Sequence, residues 1–228
     1  MRFALTTAFA ALALAACGTS AVTPPAQDAA PADASVTPDA SVTPDASVTP
    51  DAATPDASTP SAQYPAGPYG SRVCARFEPF TLNRCNNEPW AFAENGWSDA
   101  PATVIILSAV WCVPCQNEAR VLEAQLVQPY ADRGVRVVEV LVQNSDHTAI
   151  TSNQCTNNWQ NRFNLTIPVL MDPLQSLAPF YPGLAFPGNL IVDRQGRIRF
   201  RQFGSEMQLT SIRAALDEVL ANPDTCTP

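Results

Sequence analysis

The sequence contains no lysine, and all 13 of its basic residues are arginine. That excludes a lysine amine as a general base or Schiff-base former. Histidine occurs once, at His147, and Cys112-x-x-Cys115 has no second copy. A structural zinc site needs four such ligands, so no metal is expected, and no organic cofactor either. Positive charge is scarce: the formal net charge is −8, which argues against nucleic acid or an anionic membrane surface as a partner. No apolar run reaches the ~20 residues needed to span a bilayer.

What is present begins with "MRFALTTAFAALALAACGTS". One arginine precedes a short apolar run ending in Leu14-Ala15-Ala16-Cys17, which predicts a signal peptide over residues 1–16. The stretch resembles the bacterial lipobox, which implies that Cys17 is lipidated and becomes the mature N-terminus. Gly18 after it implies, by the enteric sorting rule, the outer membrane. The expected localisation is a bacterial membrane-anchored lipoprotein, periplasmic or surface-facing, where disulfides form and persist.

Residues 34–51 are three copies of Ala-Ser-Val-Thr-Pro-Asp, with a degraded copy through Pro60. A six-residue period could suggest a β-helix. Proline in every copy and a single large apolar position leave such a coil nothing to bury, so residues 17–62 are expected to form a disordered tether. At about 3.1 Å per residue, some 45 residues of extended polyproline II reach on the order of 100 Å. Ordered sequence starts near Gln63-Tyr64-Pro65, leaving residues 63–228 for one substantial core.

Within that domain "ATVIILSAV" (102–110) has the unbroken apolar pattern of a strand buried on both faces. It runs directly into Trp111-Cys112-Val113-Pro114-Cys115. The following segment places Ala119, Leu122, Leu126 and Tyr130 at helical spacing and ends at Gly134, a C-cap residue. "VRVVEVLVQ" (135–143) reads as a second buried strand and residues 153–165 as a polar helix. "NLIVD" and "RIRFRQF" flank a turn as a hairpin, and residues 209–222 form a closing amphipathic helix. This alternation predicts an α/β fold, a central sheet with helices on both faces.

A Cys-x-x-Cys between a strand and its helix is a cue for a redox motif. Cys112 falls at the helix N-terminus, where free N–H groups and the helix dipole favour the thiolate, the reactive form. Cys115 lies one turn on, placed to attack a mixed disulfide on Cys112. Pro114 sits in the first turn, where its missing N–H costs nothing, and Trp111 shields one side. Two other uses remain open: a static disulfide, and a thiol peroxidase. The usual peroxidatic pattern Pro-x-x-x-Thr-x-x-Cys is absent, Ala109 standing at the threonine position.

Trp111-Cys112-Val113-Pro114-Cys115 followed by Glu118 resembles the W-C-x-P-C-x-x-E motif of the TlpA/ResA-type (redoxin) branch of the thioredoxin superfamily. "LTIPVLMDP" (165–173) and "FPGNLIVDRQGRI" (186–198) are similar to further segments of that branch, and together they cover roughly residues 75–222. The resemblance implies a thioredoxin-like fold with a central mixed sheet. It implies a thiol–disulfide oxidoreductase in which Cys112 is the nucleophile and Cys115 the resolving thiol. Pro187 matches the family's cis-proline beside the pair, and the backbone of Phe186 would pair with an extended substrate segment. Protein thiols and disulfides are the implied substrates, with a membrane reductase as electron donor. The sequence departs from thioredoxin at Ile106, where a buried acid would help shuttle the proton of the resolving thiol. Glu118 or water must then serve, while the plain alternative for Glu118 is a solvated helix acid. Arg120 replaces a helix-kinking proline, implying a straighter redox helix.

Cys74, Cys85, Cys155 and Cys226 remain, with three pairings open. Local closure favours Cys74–Cys85, leaving Cys155–Cys226 to pin the C-terminus. His147 reads as a solvated loop residue; a copper-chaperone use would want a CxxxC spacing.

Overall fold

Seven short strands make one mixed sheet in the computed structural model, which describes residues 63–181, 185–204, 206 and 208–227. The expected signal peptide and tether, with Cys17, lie outside the described residues. The strands are β1 (Thr81–Arg84), β2 (Pro89–Ala91), β3 (Ala102–Ser108), β4 (Arg136–Leu141), β5 (Val169–Met171), β6 (Gly188–Asp193) and β7 (Ile198–Phe203). Their order is β2-β1-β5-β4-β3-β6-β7. The apolar run of β3 is buried at every residue, as expected for a central strand flanked on both edges and both faces.

β3 pairs in parallel with β4, and β4 in parallel with β5, while β6 runs antiparallel to β3. Both parallel crossovers step the same way across the sheet. Right-handed connection therefore puts their helices on one face. The first is α1 (Val113–Leu122), which widens through a π-helical turn at Glu123–Val127 before α2 (Gln128–Ala131). Pro129 explains the widening, since it has no N–H for the carbonyl one turn back. The helix runs unbroken past Arg120, and Gly134 closes the segment with φ +71°. The second crossover is α3 (Ser152–Cys155), continued by a π-helical turn at Thr156–Gln160. A last helix, α4 (Thr210–Ala221), buries Ile212, Leu216 and Val219.

The β1–β2 hairpin was not expected from the sequence. It turns through Asn87, whose φ of +67° suits asparagine, and its few residues are too mixed in polarity to show a period. Around the β1–β2 hairpin Phe77, Phe80, Trp90 and Phe92 form an aromatic cluster, edge-on or tilted except for Phe80 and Phe92, which stack at 5.5 Å. The hairpin turn after β6 is built on buried Asp193, whose carboxylate accepts from the Gln195 and Arg197 amides and pairs with Arg197 at 2.8 Å and Arg199 at 3.2 Å.

The expected pairing of the accessory cysteines is corrected: the disulfides are Cys74–Cys226 and Cys85–Cys155, with Cα–Cα distances of 5.6 and 5.3 Å. The sheet decides the partners, not proximity in sequence. The Cys74 amide donates to the Ile198 carbonyl at 2.8 Å, which ties Cys74 to β7. Arg197 and Arg199 hold the tail carbonyls of Asn222 and Pro223 along the same strand, delivering Cys226 there. Cys85 instead leaves β1 beside β5, where its amide donates to Val169 at 3.2 Å and the Ser152 hydroxyl donates to its carbonyl. That contact brings up α3 and Cys155.

Candidate active site

The chain leaves β3 at Ser108 and reaches the redox pair within four residues. The Cys112 amide donates to Ala109 O and the Gln116 amide to Cys112 O, both at 3.0 Å, so the turn into α1 is closed on either side of Cys112. Cys112 is the N-cap residue, with extended backbone, and its sulfur accepts from the Cys115 amide at 3.2 Å. An N–H aimed at sulfur, at the positive end of a helix, stabilises a thiolate when the bond is reduced. Here the two cysteines are joined, with Cα atoms 5.2 Å apart. Pro114 occupies the first turn of α1, as expected. Cys112 is 3% exposed and Cys115 1%.

Pro187 follows Phe186 through a cis peptide bond. Gly188 pairs with Leu107, so Pro187 lies beside the end of β3 from which the CxxC segment departs. Gly188 has no room for a side chain, because a Cβ there would stand 2.2 Å from the Tyr181 ring. The Phe186 ring meets Trp111 edge-on with centroids 5.9 Å apart. The sequence-predicted residues Trp111, Cys112, Pro114, Cys115, Phe186 and Pro187 are thus brought to one end of β3.

His147 is exposed as expected, but it is not an idle loop residue. Its ring stacks on Trp111 at 4.5 Å, and Trp111 Nε1 donates to Gln143 Oε1 at 2.9 Å. Neither contact has a signature in sequence spacing. Among the described residues there is no cluster of three or more histidine, cysteine or acidic side chains able to hold a metal. No helix among them is long and apolar enough to cross a membrane.

Glu118 is not a solvated helix acid: it is 1% exposed, and neither carboxyl oxygen has a hydrogen-bond partner. Burial pushes it up to about 7, with Asn189 nearby offsetting part of the effect. Sequence reading missed a second such acid. Glu139, in the middle of β4, is also 1% exposed, and burial likewise raises it to about 7. Trp159 and Ser108 favour its ionised form, and charge on Glu118 opposes it.

These shifts fix a pH dependence of stability. A carboxyl held above its ordinary 4.5 in the folded state binds its proton more tightly there than when unfolded. Its stabilising effect is complete below pH 4.5 and is lost as pH rises toward 7. The loss is on the order of 3 kcal/mol per group. Asp146 and Asp217 have lowered values, so they act in the opposite sense, but only in more acid solution. Urea unfolding of the oxidised chain is expected to give a higher midpoint at pH 5 than at pH 8. A midpoint that is flat or rises with pH would contradict two buried, proton-retaining carboxyls.

Residues 73–201 match the AhpC/TSA family. No curated protein matches the chain. Among solved structures it resembles an uncharacterized conserved protein from Geobacillus kaustophilus, at 23% identity and TM-score 0.55, covering 67% of this chain and 84% of that one. A DsbF homologue from Corynebacterium diphtheriae matches at 18% identity and TM-score 0.53, over 69% of this chain and 99% of that one. A thiol:disulfide interchange protein of the thioredoxin family from Chlorobium tepidum matches at 18% identity and TM-score 0.50, over 65% and 97%. At these identities the likeness shows the fold. The family match takes in both the CxxC turn and the cis-proline segment: the chain belongs to the AhpC/TSA family and has a thioredoxin-like fold.

Proposed function

We propose that the protein is an extracytoplasmic thiol–disulfide oxidoreductase acting on protein disulfides, tethered to a bacterial membrane through lipidated Cys17 and the repeat segment. The observation that carries this reading is the Cys112–Cys115 bond at the N-terminus of α1, with the Cys115 amide aimed at Cys112 sulfur. The solved thiol:disulfide interchange protein of like fold supports it. In the reduced form the Cys112 thiolate attacks a substrate disulfide and expels one substrate thiolate. Cys115 then loses its proton and attacks Cys112 sulfur, re-forming the internal bond and releasing the second thiol. The substrate segment lies along Phe186 and Pro187 by strand addition, and a membrane dithiol reductase returns the two electrons. Glu118, buried one turn beyond Cys115, is the acceptor for the Cys115 proton.

The test uses the purified chain with a dithiol donor and insulin as substrate. Reduction of insulin is expected, and Cys115→Ala is expected to accumulate a mixed disulfide through Cys112. A chain that does neither is not an oxidoreductase of this kind. One observation favours a second reading, a binding or structural lipoprotein with a static disulfide: Cys112 is only 3% exposed. That reading requires a bond resistant to reduction, with a potential below about −300 mV.

A further inference from the structure

Beneath the redox pair lies a group of polar side chains that the fold buries and leaves without partners. Both oxygens of Glu118, Glu139 Oε2, Ser108 Oγ, Trp159 Nε1 and both polar atoms of the Asn189 amide have no hydrogen bond. Asn189 lies close enough to Glu118, and Trp159 and Ser108 to Glu139, to favour the ionised carboxyls, yet none of these approaches has hydrogen-bond geometry, and an unpaired buried polar atom costs about 1–3 kcal/mol.

The sheet register shows that they converge. Ile106 of β3 stands opposite Glu139 of β4 on one side and Asn189 of β6 on the other. Cross-strand partners point to the same face, and Ser108, two residues on from Ile106, shares it. α1, with Glu118, and the helical segment carrying Trp159 cover that same face through the two parallel crossovers. Charge on Glu118 raises Glu139 and Asn189 acts on Glu118, so these buried side chains stand within electrostatic range of one another. Glu206, in the segment before α4, adds a further carboxylate beside Glu118. The two buried glutamates therefore lie on the same face of the sheet, the one that α1 covers.

We propose that Glu139 is a positioning residue that acts through Glu118, the two buried carboxyls sharing one proton. This sets the pH at which Glu118 takes up the proton that Cys115 loses. The inference rests on the oxidoreductase reading given above. In the resolving step the Cys115 S–H proton passes to the Glu118 carboxylate. The Cys115 thiolate then forms the bond to Cys112 sulfur, and the bond from Cys112 to the substrate breaks. The substrate thiolate leaves and is protonated from solvent. The substrate gains two electrons and the cysteine pair loses two, while Glu139 is unchanged except for its share of the proton. Two acids that compete for one proton titrate as a pair, in two steps.

The experiment measures the rate of the resolving step against pH for the full chain and for Glu139→Gln, Glu118→Gln and the double variant. Loss of the Glu139 charge makes Glu118 easier to ionise. The alkaline rise of the rate is expected to move about one pH unit toward acid in Glu139→Gln. The rise is expected to vanish in Glu118→Gln, and the double variant is expected to match Glu118→Gln. A Glu139→Gln profile that superimposes on the wild type, or differs only by a pH-independent factor, overturns the proposal. Should Glu139→Gln fail to fold, carbon-13 NMR of glutamate-labelled wild-type chain replaces it. Two-step titration of both carboxyls supports the coupling, and independent single-step curves overturn it. If the wild type reduces no disulfide at all, the oxidoreductase reading fails first, a result distinct from an active wild type with an indifferent Glu139 variant.

Discussion

Cys112→Ser is expected to reduce disulfide-reducing activity by on the order of a thousandfold or more while leaving the domain folded. The serine hydroxyl is smaller than the thiol but can still accept from the Cys115 amide, so the helix cap survives the exchange. What it lacks is ionisation: no population of alkoxide replaces the thiolate at neutral pH, and the first attack on substrate does not occur. The Cys112–Cys115 bond closes a loop with a sequence separation of only 3. Its loss returns little chain entropy to the unfolded state compared with loss of either long-range bond. Activity and stability should therefore separate, with insulin reduction abolished and the thermal melt shifted by a few degrees at most. Cys115→Ser differs again, because the first attack remains and the mixed disulfide waits for an external thiol. Equal residual activity in the two variants would contradict the assignment of Cys112 as nucleophile.

The parts of the site that lie close along the chain were readable in the sequence. The apolar run of β3, the CxxC after it, the N1-region proline and the apolar helical stripe are local signals, and the structure has each of them where expected. Pro187 was legible only through resemblance, since no local rule separates a cis X-Pro bond from a trans one. β1, β2 and β5 escaped because strands of 3 or 4 residues are too short to show a period.

Glu139 did leave a mark: it is the one acid in the otherwise apolar run "VRVVEVLVQ". The run reads as a buried strand, and periodicity assigns its acid a face but no neighbour. Its meaning depends on the register that places it beside Ile106, a fact of pairing and not of spacing. The disulfides are the same kind of case. Loop length favoured Cys74–Cys85, but β1 carries Cys85 away toward α3 while β7 gathers both Cys74 and the C-terminal tail.

The two accessory disulfides set loop length against local packing, and their removal shows which governs stability. Chain entropy alone assigns about 5 kcal/mol to Cys74–Cys226, which spans 152 residues, and about 4 kcal/mol to Cys85–Cys155, which spans 70. Packing reverses that order. Cys226 sits in a partly exposed tail that, once cut free, can fray from β7 without unfolding the sheet, and this recovers part of the lost stability in the native state. Cys85 and Cys155 are 3% and 0% exposed, so replacing them with alanine also leaves unfilled volume in the core. Cys85→Ala/Cys155→Ala is therefore expected to lower unfolding free energy by about 4–5 kcal/mol, and Cys74→Ala/Cys226→Ala by about 2–3 kcal/mol. Urea unfolding of the two double variants checks the ranking. Hydrogen exchange checks its cause, since fraying predicts loss of protection at residues 222–227 with β7 still protected. If the Cys74/Cys226 variant is the weaker of the two and its β7 amides exchange together with the tail, the bond anchors the sheet edge itself, and loop length governs after all.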